Sequence, residues 1–138
     1  MTAYIDTSAL LRVILREPGA LDDLRSYETL VSSELLAVES VRTIDRLRLQ
    51  GALTVEEAAV RLRTITEWLE AIDLVLLRPP VLSRASEPLP IPLGTLDAIH
   101  LATALIWRER MGALATVATH DSALGLAART FGFDVRGI

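Results

Sequence analysis

Apolar residues along this chain fall into two kinds of stretch. Short runs such as Ala3-Tyr4-Ile5, Leu30-Val31 and the segment from Leu114 to Thr119 are bounded by polar or turn-forming residues and read as buried strands. Between them, apolar side chains recur every three or four positions, the period of a helix with one buried face. The pattern predicts a strand at Ala3–Ile5 and a helix over about Ser8–Arg16, apolar at Leu10, Leu11, Val13, Ile14 and Leu15. Pro18-Gly19 breaks that helix, and a short second one is expected over Ala20–Tyr27. A strand follows at Thr29–Ser32, then a helix capped by Ser33 and running to about Gln50, closed by Gly51. Thr54 and Glu57 have the spacing of a capping box and open a long helix to about Ala71. Next come a strand at Asp73–Leu77, a short helix at Val81–Ser86 among five prolines, and a helix from its expected cap, Thr95, to about Met111. A strand at Ala115–Thr119, a helix at Asp121–Phe131 closed by Gly132, and a strand at Phe133–Arg136 complete the chain. Strands alternating with helices imply an α/β fold with a parallel sheet and right-handed crossovers.

Length and composition narrow the picture. A chain of 138 residues, 51% apolar and 23% charged, is expected to fold as a single domain over residues 1–138. Cysteine is absent, which removes disulfides, thiolate metal sites and cysteine nucleophiles. All 14 basic residues are arginine. Without lysine there is no P-loop, and lysine-dependent receiver domains and haloacid-dehalogenase-like phosphatases are disfavoured for the same reason. The net charge of −4 argues against a generally basic nucleic-acid coat, but not against a nuclease whose positive charge arrives with bound ions. No apolar run reaches the roughly 18 residues of a membrane span and no basic leader precedes Asp6, so a soluble, cytoplasmic protein without membrane contact is expected.

The chemistry rests on four acids: Asp6, Glu39, Asp97 and Asp121. Asp6 and Asp121 follow strands, Asp97 opens the most apolar helix, and Glu39 lies one turn into the helix after the second strand. In a parallel sheet with helical crossovers such positions converge on one edge. Each acid has an ordinary reading as a helix cap, a first-turn charge or a solvated side chain. Together they would repel one another strongly unless a divalent cation joined them. Asp97 is the most informative, because an unpaired charge bordering so apolar a helix is costly. The combination points to Mg²⁺- or Mn²⁺-dependent phosphoryl-transfer chemistry.

Four segments carry a family resemblance: Tyr-Ile-Asp-Thr-Ser-Ala-Leu from Tyr4, Glu-Leu-Leu-Ala-Val-Glu-Ser-Val-Arg from Glu34, Leu-Asp-Ala-Ile-His-Leu-Ala-Thr-Ala from Leu96, and Ala-Thr-His-Asp-Ser-Ala-Leu from Ala118. In this order and at this spacing the chain resembles the PIN-domain ribonucleases, and among them the VapC-type toxin half of VapBC toxin–antitoxin modules. The resemblance implies a three-layer α/β/α fold with a five-stranded parallel sheet. It also implies a metal-dependent endoribonuclease in which Asp6, Glu39, Asp97 and Asp121 hold Mg²⁺ or Mn²⁺. Thr7 and Ser8 fall where the family places supporting hydroxyls, and Thr119 matches the threonine two residues before the last acid; His120 replaces the usual aromatic between them. The implied partners are an RNA substrate and a cognate antitoxin protein, with a homodimer and a higher assembly formed with the antitoxin. The rival readings are an acid-metal nuclease acting on DNA or on nucleic-acid structure, and a PIN-like scaffold that binds without cutting.

Further residues have double readings. Arg42 and Arg46 share a stripe with Glu39, as grips for RNA phosphates or as an intrahelical Glu39–Arg42 pair beside a solvated arginine. His100, one turn beyond Asp97, is a satisfied core histidine or an orienting partner for a carboxylate. Trp68 and Trp107 are expected in packing or a dimer interface. Leu11, Ile14 and Leu15 are expected to contribute to a groove for an antitoxin helix.

Overall fold

Alternation in the first strand sends Ala3 and Ile5 to one face of a sheet and Tyr4 to the other, and each face meets a separate apolar cluster. The computed structural model describes residues 1–112 and 114–138. Strands β1 (Thr2–Ile5), β2 (Thr29–Ser33), β3 (Ile72–Val75), β4 (Leu114–Ala118) and β5 (Asp134–Arg136) form one parallel sheet in the order β3-β2-β1-β4-β5. The helices are α1 (Thr7–Ile14), α2 (Leu35–Leu49), α3 (Val55–Glu70), α4 (Pro79–Ala85), α5 (Thr95–Met111) and α6 (Ser122–Thr130). The expected three-layer α/β/α architecture with five parallel strands is what the chain adopts.

The chain steps from β1 through β2 to β3, then returns past β1 to β4 and on to β5. Right-handed crossovers therefore put α1, α2 and α3 on one face and the later helices on the other. Leu10, Ile44 and Ile65 accordingly pack with Ala3 and Ile5, whereas Leu101, Leu105 and Leu124 pack with Tyr4 and Val117. Helix α5 is apolar nearly all round because α4 covers its outer side, Val81 meeting Ala102 and Ile106. Reversal of strand order at β1 and β4 leaves a crevice beyond their carboxyl ends, the usual ligand position in such sheets. Among the described residues no helix is long and apolar enough to cross a membrane.

Local signals mostly act as read. The Thr54–Glu57 capping box forms with both reciprocal bonds, at 3.0 and 3.1 Å. Gly51 turns the chain out of α2 with φ +77°. Four expectations need correction. Ser33 is not the cap of α2: Glu34 occupies that position without a side-chain cap, and the Ser33 hydroxyl, one residue earlier, accepts the Leu35 N–H at 3.1 Å. The helix over Ala20–Tyr27 is only a 3-10 turn, Leu24–Ser26. Leu24 is the one fully buried side chain there, so a single anchor replaces the apolar stripe that a helix needs. Thr95 does not cap α5; Gly94 occupies that position in extended conformation without a side-chain cap, and Asp97 supplies the acid of the first turn. Finally, Ile14 is 2% exposed within the core and Leu15 packs against that core, so these two do not line an open groove. Trp68 is likewise a core residue, with the Arg25 guanidinium 4.1 Å above its ring.

Candidate active site

Asp6 leaves β1 where the sheet is still paired: its N–H donates to the Ala118 carbonyl of β4 at 3.2 Å. The same ladder extends on the other side of β4, from Thr119 N–H to Arg136 at 2.9 Å. This pairing brings the β1–α1 junction beside the β4–α6 junction. Asp6 caps α1 by accepting the Ala9 N–H at 3.0 Å, and Asp121 caps α6 by accepting the Leu124 N–H at 2.8 Å. Both are helix caps as well as members of the acid group.

Two hydroxyls bind the junctions together. Thr119 donates to Asp6 Oδ2 at 2.7 Å and accepts the Asp121 N–H at 3.0 Å. Ser8 donates to Asp6 Oδ1 at 2.7 Å and accepts the His120 N–H at 2.9 Å. Each hydroxyl passes the polarity of a loop amide on to one buried carboxylate. Beyond them the chain is held from behind. Gly137 adopts φ +106°, and a Cβ there would lie 2.3 Å from the Thr119 carbonyl oxygen. Its own carbonyl accepts from His120 Nδ1 at 2.8 Å.

Glu39 reaches the same edge from α2. Its Oε1 accepts the Thr7 hydroxyl and lies against His100 Nε2, both at 2.7 Å. His100 Nδ1 in turn meets the Tyr4 hydroxyl at 2.6 Å. Thr7, Ser8 and Thr119 thus all touch acids of the group, Thr7 through Glu39 and the other two through Asp6. Arg42 does not: its exposed guanidinium pairs with Asp45 at 2.8 Å, so of its two readings the Glu39–Arg42 pair is not formed among the described residues. Glu34, beside this helix start, accepts the Leu77 N–H and ties α2 to the end of β3.

The electrostatics carry the strain of the arrangement. Burial pushes the Asp6 carboxyl above its ordinary value, despite hydrogen bonds from Thr119, Ala9 and Ser8. Burial also raises Asp97, and the charges of Asp121, Asp6 and Glu39 raise it further, against an opposing effect of His100. For Glu39 burial acts upward too, but hydrogen bonds from His100 and Thr7 outweigh it and the carboxyl lies below its ordinary value. Desolvation raises the Tyr4 phenol, which therefore keeps its proton. Among the described residues no arginine forms an ion pair with any of the four acids. Nor do three carboxylate or imidazole groups there converge into a ready-made cation cage. The acids lie within Coulombic reach without closing on a common point. A cleft of about 740 Å³ between α4, the 86–94 loop and the start of α5 is separate; Thr95 and Ala98 line it, but none of the four acids does.

The sequence reading placed Tyr4 in the first strand and the first motif but gave it no role beside the acids, and it read His100 only in alternatives. His100 is 2% exposed and fully satisfied, yet its partner is an acid of the group, so both of its readings hold at once. The available signal was its place one turn beyond Asp97; nothing local marked Tyr4.

Comparison with known proteins agrees with the architecture. The chain is 36% identical over 137 residues to Ribonuclease VapC46 of Mycobacterium tuberculosis H37Rv, covering 96% of this chain and 94% of that protein. It is 32% identical over 133 residues to Ribonuclease VapC47 of the CDC 1551 strain, covering 94% and 92%. The crystal structure of PAE2754 from Pyrobaculum aerophilum has the same fold, with a TM-score of 0.64 and 18% identity, over 98% of this chain and 89% of that one. The model of the PIN domain matches residues 3–128, a span that holds all four acids together with Tyr4 and His100, and the chain belongs to the PIN-domain family.

Proposed function

We propose that this protein is an endoribonuclease that hydrolyses RNA phosphodiester bonds with Mg²⁺ or Mn²⁺, and that it is the toxin of a toxin–antitoxin pair, held inactive by a cognate antitoxin. One observation carries the chemistry. Asp97 is raised by burial and by three neighbouring acids, and among the described residues no arginine pairs with the group. Ionised carboxylates arranged this way lack a cation, and an all-oxygen donor set suits a hard divalent ion that keeps part of its water shell. Such an ion tolerates acids that do not converge, because its waters fill the remaining positions. The names of the VapC relatives support RNA as the substrate and an antitoxin as the partner.

Asp6, Glu39, Asp97 and Asp121 would hold the metal. When bound, it supplies Lewis acidity, acidifying a water and offsetting charge on the phosphate. The protein's own contribution is placement. Ser8 and Thr119 orient Asp6, Thr7 orients Glu39, and the α6 cap orients Asp121. Asp97 accepts no hydrogen bond from the described residues and stays available to a cation or its water. Arg42 is assigned to substrate phosphate: its exposed pair with Asp45 is worth only about 0–1 kcal/mol and is readily exchanged.

The test is cleavage of a total-RNA pool by purified, antitoxin-free protein with Mn²⁺ or with EDTA, beside Asp97→Asn. Metal-dependent cutting abolished by the substitution is the expected result. Cutting that persists in EDTA or in Asp97→Asn overturns the mechanism, and preferential cutting of DNA overturns the substrate.

A further inference from the structure

Among the described residues, Glu39 is the one acid of the four that bonds to a ring nitrogen. Its ring partner belongs to α5, on the opposite face of the sheet from α2, so the contact crosses the carboxyl edge from one helical layer to the other. The chain of contacts runs Tyr4 Oη to His100 Nδ1 at 2.6 Å, then His100 Nε2 to Glu39 Oε1 at 2.7 Å. Tyr4 and His100 are 1% and 2% exposed, so water does not compete for either bond.

The proton positions follow from the partners. An ionised carboxylate only accepts, so Nε2 carries a hydrogen. The Tyr4 hydroxyl donates to Nδ1 and fixes that tautomer. The two rings meet edge to face, centroids 5.9 Å apart at 75°, which blocks a ring flip without repacking. Thr7 adds its hydroxyl to the same oxygen, Oε1. No described residue donates to Oε2, and the Glu39 side chain retains 23% exposure. One oxygen is committed to the protein and the other is left to a ligand.

We infer that Tyr4 and His100 are positioning residues that lock Glu39 through Oε1 and present Oε2 to the divalent cation. The inference rests on the metal-dependent reading above. Because His100 lies on the turn after Asp97, the same bond also sets the separation between the acids of α2 and α5. A core histidine kept only for packing would not need an acid of the site as its partner.

The experiment measures Mn²⁺ affinity of metal-free protein by electron paramagnetic resonance, with circular dichroism confirming the fold of each variant. His100→Leu keeps the volume but removes both nitrogens, and is expected to weaken Mn²⁺ binding about 10–100-fold, the usual range for partners of metal ligands. His100→Gln places an amide N–H near the position of Nε2 and is expected to restore most of that loss, which a packing role does not predict. Tyr4→Phe removes one oxygen and is expected to weaken binding several-fold. Combined with Glu39→Gln, His100→Leu should add nothing to the loss from Glu39→Gln alone. If Glu39→Gln loses Mn²⁺ while folded His100→Leu binds like wild type, the relay is overturned and the metal reading stands. Should His100→Leu fail to fold, unchanged affinity in Tyr4→Phe overturns the relay instead. Wild-type protein that binds no Mn²⁺ overturns the metal reading and the relay with it.

Discussion

Replacing Thr119 by valine tests how the site is held together. The two side chains have nearly the same shape, Thr119 is fully buried, and the substitution exchanges only the hydroxyl for a methyl group. That hydroxyl makes two bonds, donating to Asp6 Oδ2 at 2.7 Å and accepting the Asp121 N–H at 3.0 Å. Losing a bond to a charged acceptor costs about 1.5–3 kcal/mol, and leaving the amide without its acceptor about 1–3 kcal/mol. Together they amount to about 2.5–6 kcal/mol, against a total stability of about 5–15 kcal/mol for a domain of this kind. In urea, with a slope of about 1–3 kcal/mol per molar, the midpoint of the metal-free protein should fall by about 2 M at pH 8. Thr119→Ser keeps the hydroxyl and should lose only about 1 kcal/mol, for one methyl group. The penalty of Thr119→Val should also shrink in acid, because a protonated Asp6 no longer offers a charged acceptor. A valine variant within about 0.5 kcal/mol of wild type at pH 8 would refute the reasoning.

Two further outcomes follow from the same geometry. Asp6 and Asp97 both have folded values above the ordinary 3.8, so between those values the native state binds more protons than the unfolded chain. Their contribution is therefore favourable in acid and lost as pH rises through the raised values. The lowered groups, including Glu39 at an ordinary 4.5, act in the opposite sense but only below about pH 5. Thermal melts of metal-free protein should thus show stability falling as pH rises above the ordinary carboxylate range. Millimolar Mg²⁺ should remove that slope, and Asp97→Asn should weaken it without harming the fold; a flat profile without metal counts against the clustered-acid account. Gly137→Ala forces a Cβ to 2.3 Å from the Thr119 carbonyl at φ +106°, and should cost about 2–4 kcal/mol by urea denaturation. A near-neutral effect would mean that the segment after β5 does not hold the Thr119 loop.

Some features were legible because their physics is local. The Thr54–Glu57 capping box needs only residues three apart, and it forms as read. Asp6 and Asp121 stand where a strand gives way to a helix, and a cap is favourable there whatever the rest of the chain does. Apolar periodicity set the order of strands and helices, and the handedness of crossovers then left few topologies open. Where the local signal was thin, reading failed. Pro18-Gly19 marked a break correctly, but the segment after it has Leu24 as its single buried anchor and makes only a 3-10 turn.

What the sequence determined by itself was therefore the alternating α/β order and the caps at Asp6 and Asp121, which follow from short-range backbone and capping preferences; the hydroxyls beside the acids were marked only by the family resemblance. Tertiary structure alone decided which of these groups touch. Tyr4 and His100 are 96 positions apart, and Glu39 and His100 are 61 apart. They meet only because strand order reverses at β1, which places α5 on the far face from α2 and lets His100 reach across the sheet edge. The same fold raised Asp97 and lowered Glu39, two acids that look alike in the sequence. Burial and hydrogen-bond partners set those differences, and both are properties of packing rather than of any short segment.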